Sequence, residues 1–262
     1  MLLAAWVGGT PFLILVAGMI ALGVREYSRL ALPGLAAPAL LLLVAGFAAA
    51  TLRYLAPGGS TWPGLLVTAA LLGALAIGLS APEPREGLRR ASLTLLGALY
   101  VGWLFAYLIG LRELPRDLPG LAYRDGFALV ATAFGLTWAS DIGAYFTGRA
   151  WGRRRLLPRI SPGKTVAGAA GGAACTALVG ALLFGWAPGP LPRLGPVAGL
   201  ATGLGASVLA QTGDLAESLL KRAFEAKDSS RLIPGHGGIL DRFDSLLFTA
   251  PAAYAFFRAV LA

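Results

Sequence analysis

Long apolar runs alternate with short polar connections along this chain. About eight of these runs approach the ~20 residues that an α-helix needs to cross the hydrocarbon core of a bilayer. They lie at residues 3–24, 34–52, 63–81, 92–111, 126–147, 166–187, 195–216 and 245–262. A helix pairs its backbone polar groups within its own segment, so it can cross lipid where an open strand cannot. The pattern therefore predicts an all-α, polytopic integral membrane bundle with about eight transmembrane helices.

Composition supports the same class. The chain has 262 residues, of which 56% are hydrophobic and 13% are charged, whereas a soluble domain carries about 25% charged residues. No polar segment is long enough to fold as a separate soluble domain, so we expect one membrane domain over residues 1–262. The single cysteine, Cys175, excludes an intrachain disulfide.

The net charge of +9 is spread over the polar connections. Sixteen of the 22 basic residues fall in alternate connections, at residues 25–29, 85–90, 149–164 and 221–242. The positive-inside rule places these connections in the cytoplasm and both termini on the other side. Two roles account for the basic charge: it orients the chain in the membrane, and it attracts anionic lipid headgroups. We therefore expect membrane lipid as a partner and no nucleic acid.

The polar material is unevenly distributed between the two halves of the chain. The long polar stretches, 148–165 and 217–244, both lie in the second half. We therefore interpret residues 1–125 as scaffold and lipid-facing spans, and residues 126–262 as the catalytic half. A transporter built from inverted repeats would be more symmetric.

The stretch from 211 to 245 concentrates the ionisable groups. It holds six of the thirteen acidic residues and the only histidine, His236. On a continuing helix, Asp214, Glu217 and Lys221 share one face. A lipid-embedded protein that gathers charge in this way carries its chemistry there. The alternative is a solvated helix end stabilised by a Glu217–Lys221 pair.

The segment Pro234–Gly238 cannot form a regular helix, because it contains three glycines and a proline. Such a loop exposes backbone N–H groups, so Gly237 and Gly238 are candidates for cradling a phosphate. His236 lies between glycines in a charged loop, which favours a functional role. An ordinary interhelical turn is the alternative.

Carboxylates recur around this stretch. Asp241 and Asp244 are spaced i,i+3, and with Asp214 they offer three carboxylates near one membrane surface. Hard oxygen ligands suit Mg²⁺, which usually shares its coordination with substrate phosphates; pairing with Arg242 is the alternative. Asp141 lies inside the fifth apolar run, so it is a further functional candidate unless it only pairs with a basic neighbour.

A second polar segment, at 161–165, ends in Gly-Lys-Thr. A P-loop reading is rejected, because Pro158 stands where its first glycine is required and no strand is predicted before it. We expect a Ser-Pro turn that presents Lys164 to a phosphate. Ser161 or Thr165 alternatively caps the next helix.

These residues together resemble the signature of phosphatidate cytidylyltransferases. The resemblance covers residues 138–250 closely. It departs from the family at Gly163, where a second lysine is common, and near Ala167, where an acid is common. The matching residues are Ser218-x-x-Lys221-Arg222-x4-Lys227-Asp228 and Pro234-x-His236-Gly237-Gly238-x-x-Asp241-Arg242-x-Asp244, with Gly213-Asp214-Leu215, Ser161-Pro162-x-Lys164-Thr165 and Asp141.

The resemblance implies that CTP and phosphatidate react to CDP-diacylglycerol and pyrophosphate, with Mg²⁺, at the cytoplasmic face of a bacterial inner membrane. A second metal ion and a homodimer stay open. The implied metal ligands are Asp214, Asp241 and Asp244. The implied catalytic residues also include Lys221, Arg222, Lys227, Asp228 and His236. The implied substrate-binding residues are Asp141, Ser161, Lys164, Thr165, Ser218, Gly237, Gly238 and Arg242.

Two other functions remain open at this point. A CTP-dependent lipid kinase would need a base for its alcohol, which His236 or an aspartate supplies. A transporter or channel would place its acids at mid-bilayer, where Asp141 is the one clear candidate. A CDP-alcohol phosphotransferase is disfavoured, because Asp125-Gly126 is not followed by the expected alanine and arginine spacing.

Overall fold

Helices form nearly all of the regular structure, which confirms the predicted all-α class. The computed structural model describes residues 1–59, 61–187, 189–230, 232, 235 and 237–262. The chain forms two compact units. The first contains Met1–Asp117 and Ala226–Arg242, and the second contains Leu118–Glu225 and Phe243–Ala262.

The first unit is built mainly from the first half of the chain. Helix α5 continues through a π-helical segment, Ala98–Trp103, into α6, and a 3₁₀ turn at Leu114–Arg116 follows. The segment 226–242, from the predicted catalytic half, also belongs to this unit. Its helices are α1 (Leu2–Val7), α2 (Gly9–Ala31), α3 (Ala36–Leu55), α4 (Trp62–Leu79), α5 (Pro84–Gly97) and α6 (Leu104–Glu113).

The second unit contains long helices and one small hairpin. Its strands are β1 (Arg155–Leu157) and β2 (Ser161–Thr165), and a 3₁₀ turn lies at Leu191–Arg193. Helix α10 (Leu240–Leu261) has its first three residues in the first unit and the rest here. The other helices are α7 (Asp125–Trp151), α8 (Val166–Trp186) and α9 (Gly195–Ala223).

The chain is a polytopic integral membrane protein. Six helices in the described part of the chain are long and apolar enough to cross a membrane. Helices α9 and α10 occupy the last two predicted runs but are not among the six, so the predicted number of eight is not confirmed. The six are Gly9–Ala31, Ala36–Leu55, Trp62–Leu79, Pro84–Arg116, Asp125–Trp151 and Val166–Trp186.

Close backbone approach holds the first unit together. A Cβ atom on Gly46 of α3 would lie 3.0 Å from the Cα atom of Gly102 in the π-helical segment. Only glycine allows two helical backbones to pack this closely. The fully buried Arg112 donates from Nε to the carbonyl oxygen of Ala5 at 2.6 Å. A cation at the last carbonyls of α1 stabilises that helix end.

Small residues play the same part in the second unit. A Cβ atom on Gly180 of α8 would collide with the carbonyl oxygen of Gly199 in α9. Hydroxyl pairs link other helices, such as Ser140 Oγ and Ser207 Oγ, which lie 2.9 Å apart between α7 and α9. Such small-residue packing is typical of helices that associate in lipid.

Candidate active site

The polar segment 161–165 is a strand, so the prediction of a Ser-Pro turn there is wrong. It pairs antiparallel with β1, with Arg155 opposite Thr165 and Leu157 opposite Ser161. The turn lies earlier, where Ile160 N donates to Leu157 O at 3.1 Å. Proline has no N–H group to donate. Pro162 is tolerated because both strands of a two-stranded sheet are edge strands, in which about half of the N–H groups point away from the partner strand.

The hairpin leads directly into α8 and also contacts α9. Thr165 Oγ1 accepts a hydrogen bond from Gly168 N at 3.0 Å, which confirms the predicted N-cap. Arg222 Nε of α9 donates to Ile160 O at 3.4 Å. The strand that bears Lys164 is therefore held at both ends, by a helix cap and by an arginine contact.

Lys164 and Asp214 form an ion pair in the second unit. Lys164 Nζ lies 2.7 Å from Asp214 Oδ2, and the two side chains are 24% and 33% exposed. They border a cavity of about 490 Å³. Its polar lining includes Asp141, Tyr145, Arg149, Lys164, Gln211 and Asp214. The fold thus brings Asp141, Lys164 and Asp214 together, although they come from α7, β2 and α9.

Asp244 adds a carboxylate to the same unit. A Cβ atom on Gly213 would lie 2.5 Å from Asp244 O, so this glycine allows α10 to pack tightly against α9 next to Asp214. Asp244 lies outside the six candidate spans. Burial, and to a smaller extent the negative charge of Asp214, raise the pKa of Asp244 to about 7. Neighbouring carboxylates of this kind favour a bound proton or cation.

The face of α9 that follows Asp214 carries further polar contacts. Ser218 Oγ donates to Asp214 Oδ1 at 3.4 Å. Lys221 Nζ forms an ion pair with Glu217 Oε2, as the alternative interpretation of this helix end predicted. However, Glu217 is only 1% exposed, so this end of the helix is not simply solvated. A buried carboxylate fixes the position of the Lys221 ammonium group.

Glu26 organises the polar loop of the first unit. This side chain near the end of α2 is 3% exposed. Its Oε1 accepts hydrogen bonds from Ser230 Oγ at 2.7 Å and Ile239 N at 2.9 Å. Its Oε2 accepts from Ser229 Oγ and Leu240 N, both at 3.0 Å. The carboxylate therefore satisfies N–H groups at the start of α10, where the helix dipole also favours a negative charge.

Asp241 closes the same loop from its other side. Its Oδ2 accepts hydrogen bonds from Ser229 N at 2.9 Å and Gly238 N at 2.8 Å. It also lies 2.7 Å from Ser229 Oγ, whose single hydroxyl proton it shares with Glu26. Gly237 has φ of 77°, a conformation that favours glycine. A Cβ atom on Gly238 would collide with the Glu26 carboxylate. Both glycines are thus required by the loop itself, whatever ligand it binds.

The whole sequence matches a known family. The model of the cytidylyltransferase family aligns with residues 1–260. The chain belongs to the cytidylyltransferase family. The match covers both polar clusters just described, the one around Lys164 and Asp214 and the one around Glu26 and Asp241.

Several relatives carry the name phosphatidate cytidylyltransferase. A protein of Bacillus subtilis (strain 168) is 44% identical over 159 residues, which are 61% of this chain and 55% of that protein. One of Brucella suis is 47% identical over 131 residues, or 50% of this chain and 47% of the relative. One of Synechocystis is 35% identical over 273 aligned positions, covering 95% of this chain and 89% of the relative. The chain spans about half the length of the Bacillus and Brucella relatives in these alignments.

Other predicted members of the site are less constrained. Lys227, Asp228 and Arg242 are exposed, the first two in the loop after α9 and the third in the first turn of α10. His236 lies outside the described residues. Its predicted role, like those of the other signature residues, stays a prediction.

Sequence reasoning missed Glu26, which was counted among the scaffold residues. A signal was available, because Glu26 is the only acidic residue in the first 82 positions. Burial of a single carboxylate in such an apolar stretch is energetically unfavourable unless the carboxylate has partners. An isolated acid therefore indicates a structural or functional contact. Its partners lie more than 200 positions away, which no local pattern reveals.

A magnesium site would have to be built from few carboxylates. Among the described residues, no group of three or more His, Cys, Asp or Glu side chains is arranged to hold a metal ion. Mg²⁺ often uses one or two protein carboxylates and completes its coordination with substrate phosphates and water. Asp214 lines the polar cavity and Asp244 is its close neighbour, so this pair fits a site of that kind.

Proposed function

We propose that this protein transfers the cytidylyl group of CTP to phosphatidate, which yields CDP-diacylglycerol and pyrophosphate. The main support is the family match over nearly the whole chain, together with relatives that bear the name phosphatidate cytidylyltransferase. The polar cavity beside Lys164 and Asp214, in a chain otherwise made of apolar helices, supports a headgroup reaction at a membrane surface.

The proposed reaction is a direct displacement at phosphorus. A phosphate oxygen of phosphatidate attacks the α-phosphorus of CTP and forms a new P–O bond. The bond from the α-phosphorus to the oxygen that bridges to the β-phosphate breaks, and pyrophosphate leaves with that electron pair. The attacking phosphate is already an anion, so the step requires charge neutralisation and alignment more than a strong base.

Lys164 is the proposed phosphate-binding lysine of the cavity. Its ammonium group lies against Asp214 and at the cavity wall, so it can exchange a carboxylate oxygen for a phosphate oxygen with little movement. A lysine acts on phosphates as a compact point charge. Further positive charge would come from the polar stretch that follows Asp214 in sequence, at Lys221, Arg222 and Lys227.

The proposal includes Mg²⁺ held by Asp214 and Asp244. When bound, the ion would neutralise charge on the triphosphate and the departing pyrophosphate. Removal of divalent ions with EDTA is then expected to stop turnover, and added Mg²⁺ to restore it. Turnover that persists in EDTA would exclude the metal. We also propose that the site faces the cytoplasm, where the positive-inside rule places the 149–164 connection.

The deciding experiment follows the cytidine label. Purified protein in detergent is supplied with phosphatidate, Mg²⁺ and CTP labelled in the cytosine ring, and the lipid phase is analysed. The label is expected in the lipid as CDP-diacylglycerol, and pyrophosphate in the aqueous phase. A phosphorylated alcohol with all label left in water would indicate a lipid kinase instead. Solute flux into proteoliposomes without CTP turnover would indicate a transporter.

A further inference from the structure

A second basic cavity lies in the first unit, at the end of α2. Its volume is about 280 Å³. Among the described residues, none lines both this cavity and the one that contains Lys164 and Asp214. It is lined by Leu22, Arg25, Glu26, Arg29, Ser230 and Leu232.

The charge of this cavity is set by its two arginines. Arg25 and Arg29 are spaced i,i+4, so both guanidinium groups extend from one face of α2. Both are exposed, and no ion pair to either is found among the described residues. Paired arginines in this spacing attract a small anion with several oxygen acceptors.

The one acid in the cavity does not cancel that charge by pairing with the arginines. Both oxygens of Glu26 are occupied by the four loop donors described above. The Ser230 hydroxyl donates to Glu26 and also accepts from Leu232 N at 3.1 Å. The Glu26 carboxylate is therefore satisfied by the loop, whereas Arg25 and Arg29 are exposed.

The surroundings of the arginines favour a lipid as the source of the anion. Helix α2 is a candidate membrane span, and Arg29 lies in its last turn, where headgroups would be found. Leu22 and Leu232 supply apolar walls beside the charges. Basic pockets at the ends of membrane helices commonly bind anionic headgroups.

We propose that Arg25 and Arg29 form a binding site for the phosphate of an anionic phospholipid. The bound headgroup would lie against the loop that Glu26 holds. Neither arginine is among the candidate residues for cytidylyl transfer, so the proposal does not depend on the proposed function.

The test compares lipid retention with and without the two charges. Protein is purified in micelles that contain equimolar phosphatidylglycerol and phosphatidylcholine, and native mass spectrometry measures which lipids stay bound. Phosphatidylglycerol carries the phosphate charge but is not the proposed substrate. We expect the wild type to retain it in preference to phosphatidylcholine. The preference should fall on the order of tenfold in the Arg25→Gln/Arg29→Gln variant, because both charges that attract the phosphate are lost.

Two matched variants separate this site from general charge effects. Arg153→Gln/Arg159→Gln removes two exposed charges from the other unit and should keep the wild-type preference. Arg25→Lys/Arg29→Lys keeps the charge that sets membrane orientation, so it should fold normally and retain more phosphatidylglycerol than the glutamine variant. Unchanged retention in Arg25→Gln/Arg29→Gln, or an equal loss in Arg153→Gln/Arg159→Gln, would overturn the proposal. Displacement of the lipid by added CTP would assign the site to nucleotide phosphate instead.

Discussion

Replacing Glu26 by glutamine changes almost nothing in shape and removes one charge from the centre of a hydrogen-bonded loop. Each carboxylate oxygen accepts one hydroxyl and one backbone N–H group. A glutamine side chain turns one of these oxygens into an NH₂ donor. Whichever way the amide is oriented, this NH₂ group faces the N–H of Ile239 or of Leu240, and two donors cannot bond.

The cost follows from those contacts. The serine hydroxyl on the affected side can rotate and become an acceptor, but the backbone N–H cannot. A hydrogen bond to a charged acceptor contributes about 1.5–3 kcal/mol, and a buried donor left unpaired costs a similar amount. We therefore expect Glu26→Gln to lower the free energy of local opening at the start of α10 by about 2 kcal/mol. That difference corresponds to roughly a 30-fold change in the opening equilibrium.

Amide hydrogen exchange measures this opening directly. In Glu26→Gln, the amides of Ile239 and Leu240 should exchange roughly 30-fold faster than in the wild type. The loop also bears Asp241, so CDP-lipid formation should fall in parallel. Glu83→Gln is the matched control, because Glu83 is exposed and makes no side-chain cap bond to α5. It should leave both amides and turnover unchanged.

Wild-type exchange at both amides in Glu26→Gln would show that the carboxylate does not hold the start of α10. An equal acceleration of the two amides in Glu83→Gln would show that the effect comes from net charge. Faster exchange spread evenly over all helices would indicate global destabilisation, and the assignment of Glu26 to this loop would be wrong.

Three further predictions concern the second unit. Lys164→Met should lower turnover about 100-fold, as loss of an electrostatic contact to a reacting phosphate does. It should change unfolding stability by less than about 1 kcal/mol, because its pair with Asp214 is partly exposed. Arg159→Met is the control, and equal turnover in the two variants would exclude a role for Lys164. Lys221→Arg keeps the charge but alters its geometry, so kcat should fall strongly; full activity would show that charge alone matters. Gly213→Val should destabilise the protein by about 1–3 kcal/mol in thermal unfolding, because the new side chain meets the backbone of α10. An unchanged melting temperature would contradict that packing.

The positions and lengths of the apolar runs were sufficient to predict the helices. All eight predicted runs coincide with helical segments, because the length of an apolar run is a local property set by the thickness of a bilayer. Their ends were less accurate. For example, the run predicted at 195–216 continues as helix to Ala223, since polar side chains on α9 are satisfied by contacts that a hydropathy pattern does not include.

The signature residues could also be recognised in sequence, because charge stands out in an apolar chain and their spacing matches the family. The sequence indicated that Asp214 and Lys164 matter, but only the fold shows that they form an ion pair across 50 positions. It also shows that the lysine is carried on a strand and that Gly213 brings Asp244 close to Asp214.

Glu26 marks the limit of sequence reasoning most clearly. Its neighbours in the chain are two arginines and apolar residues, and they suggest only a loop at the end of a span. Its hydrogen-bond partners are serines and backbone amides between positions 229 and 240. Backbone N–H groups have no residue-specific pattern, so a buried carboxylate that binds them becomes visible only when distant parts of the chain are folded together.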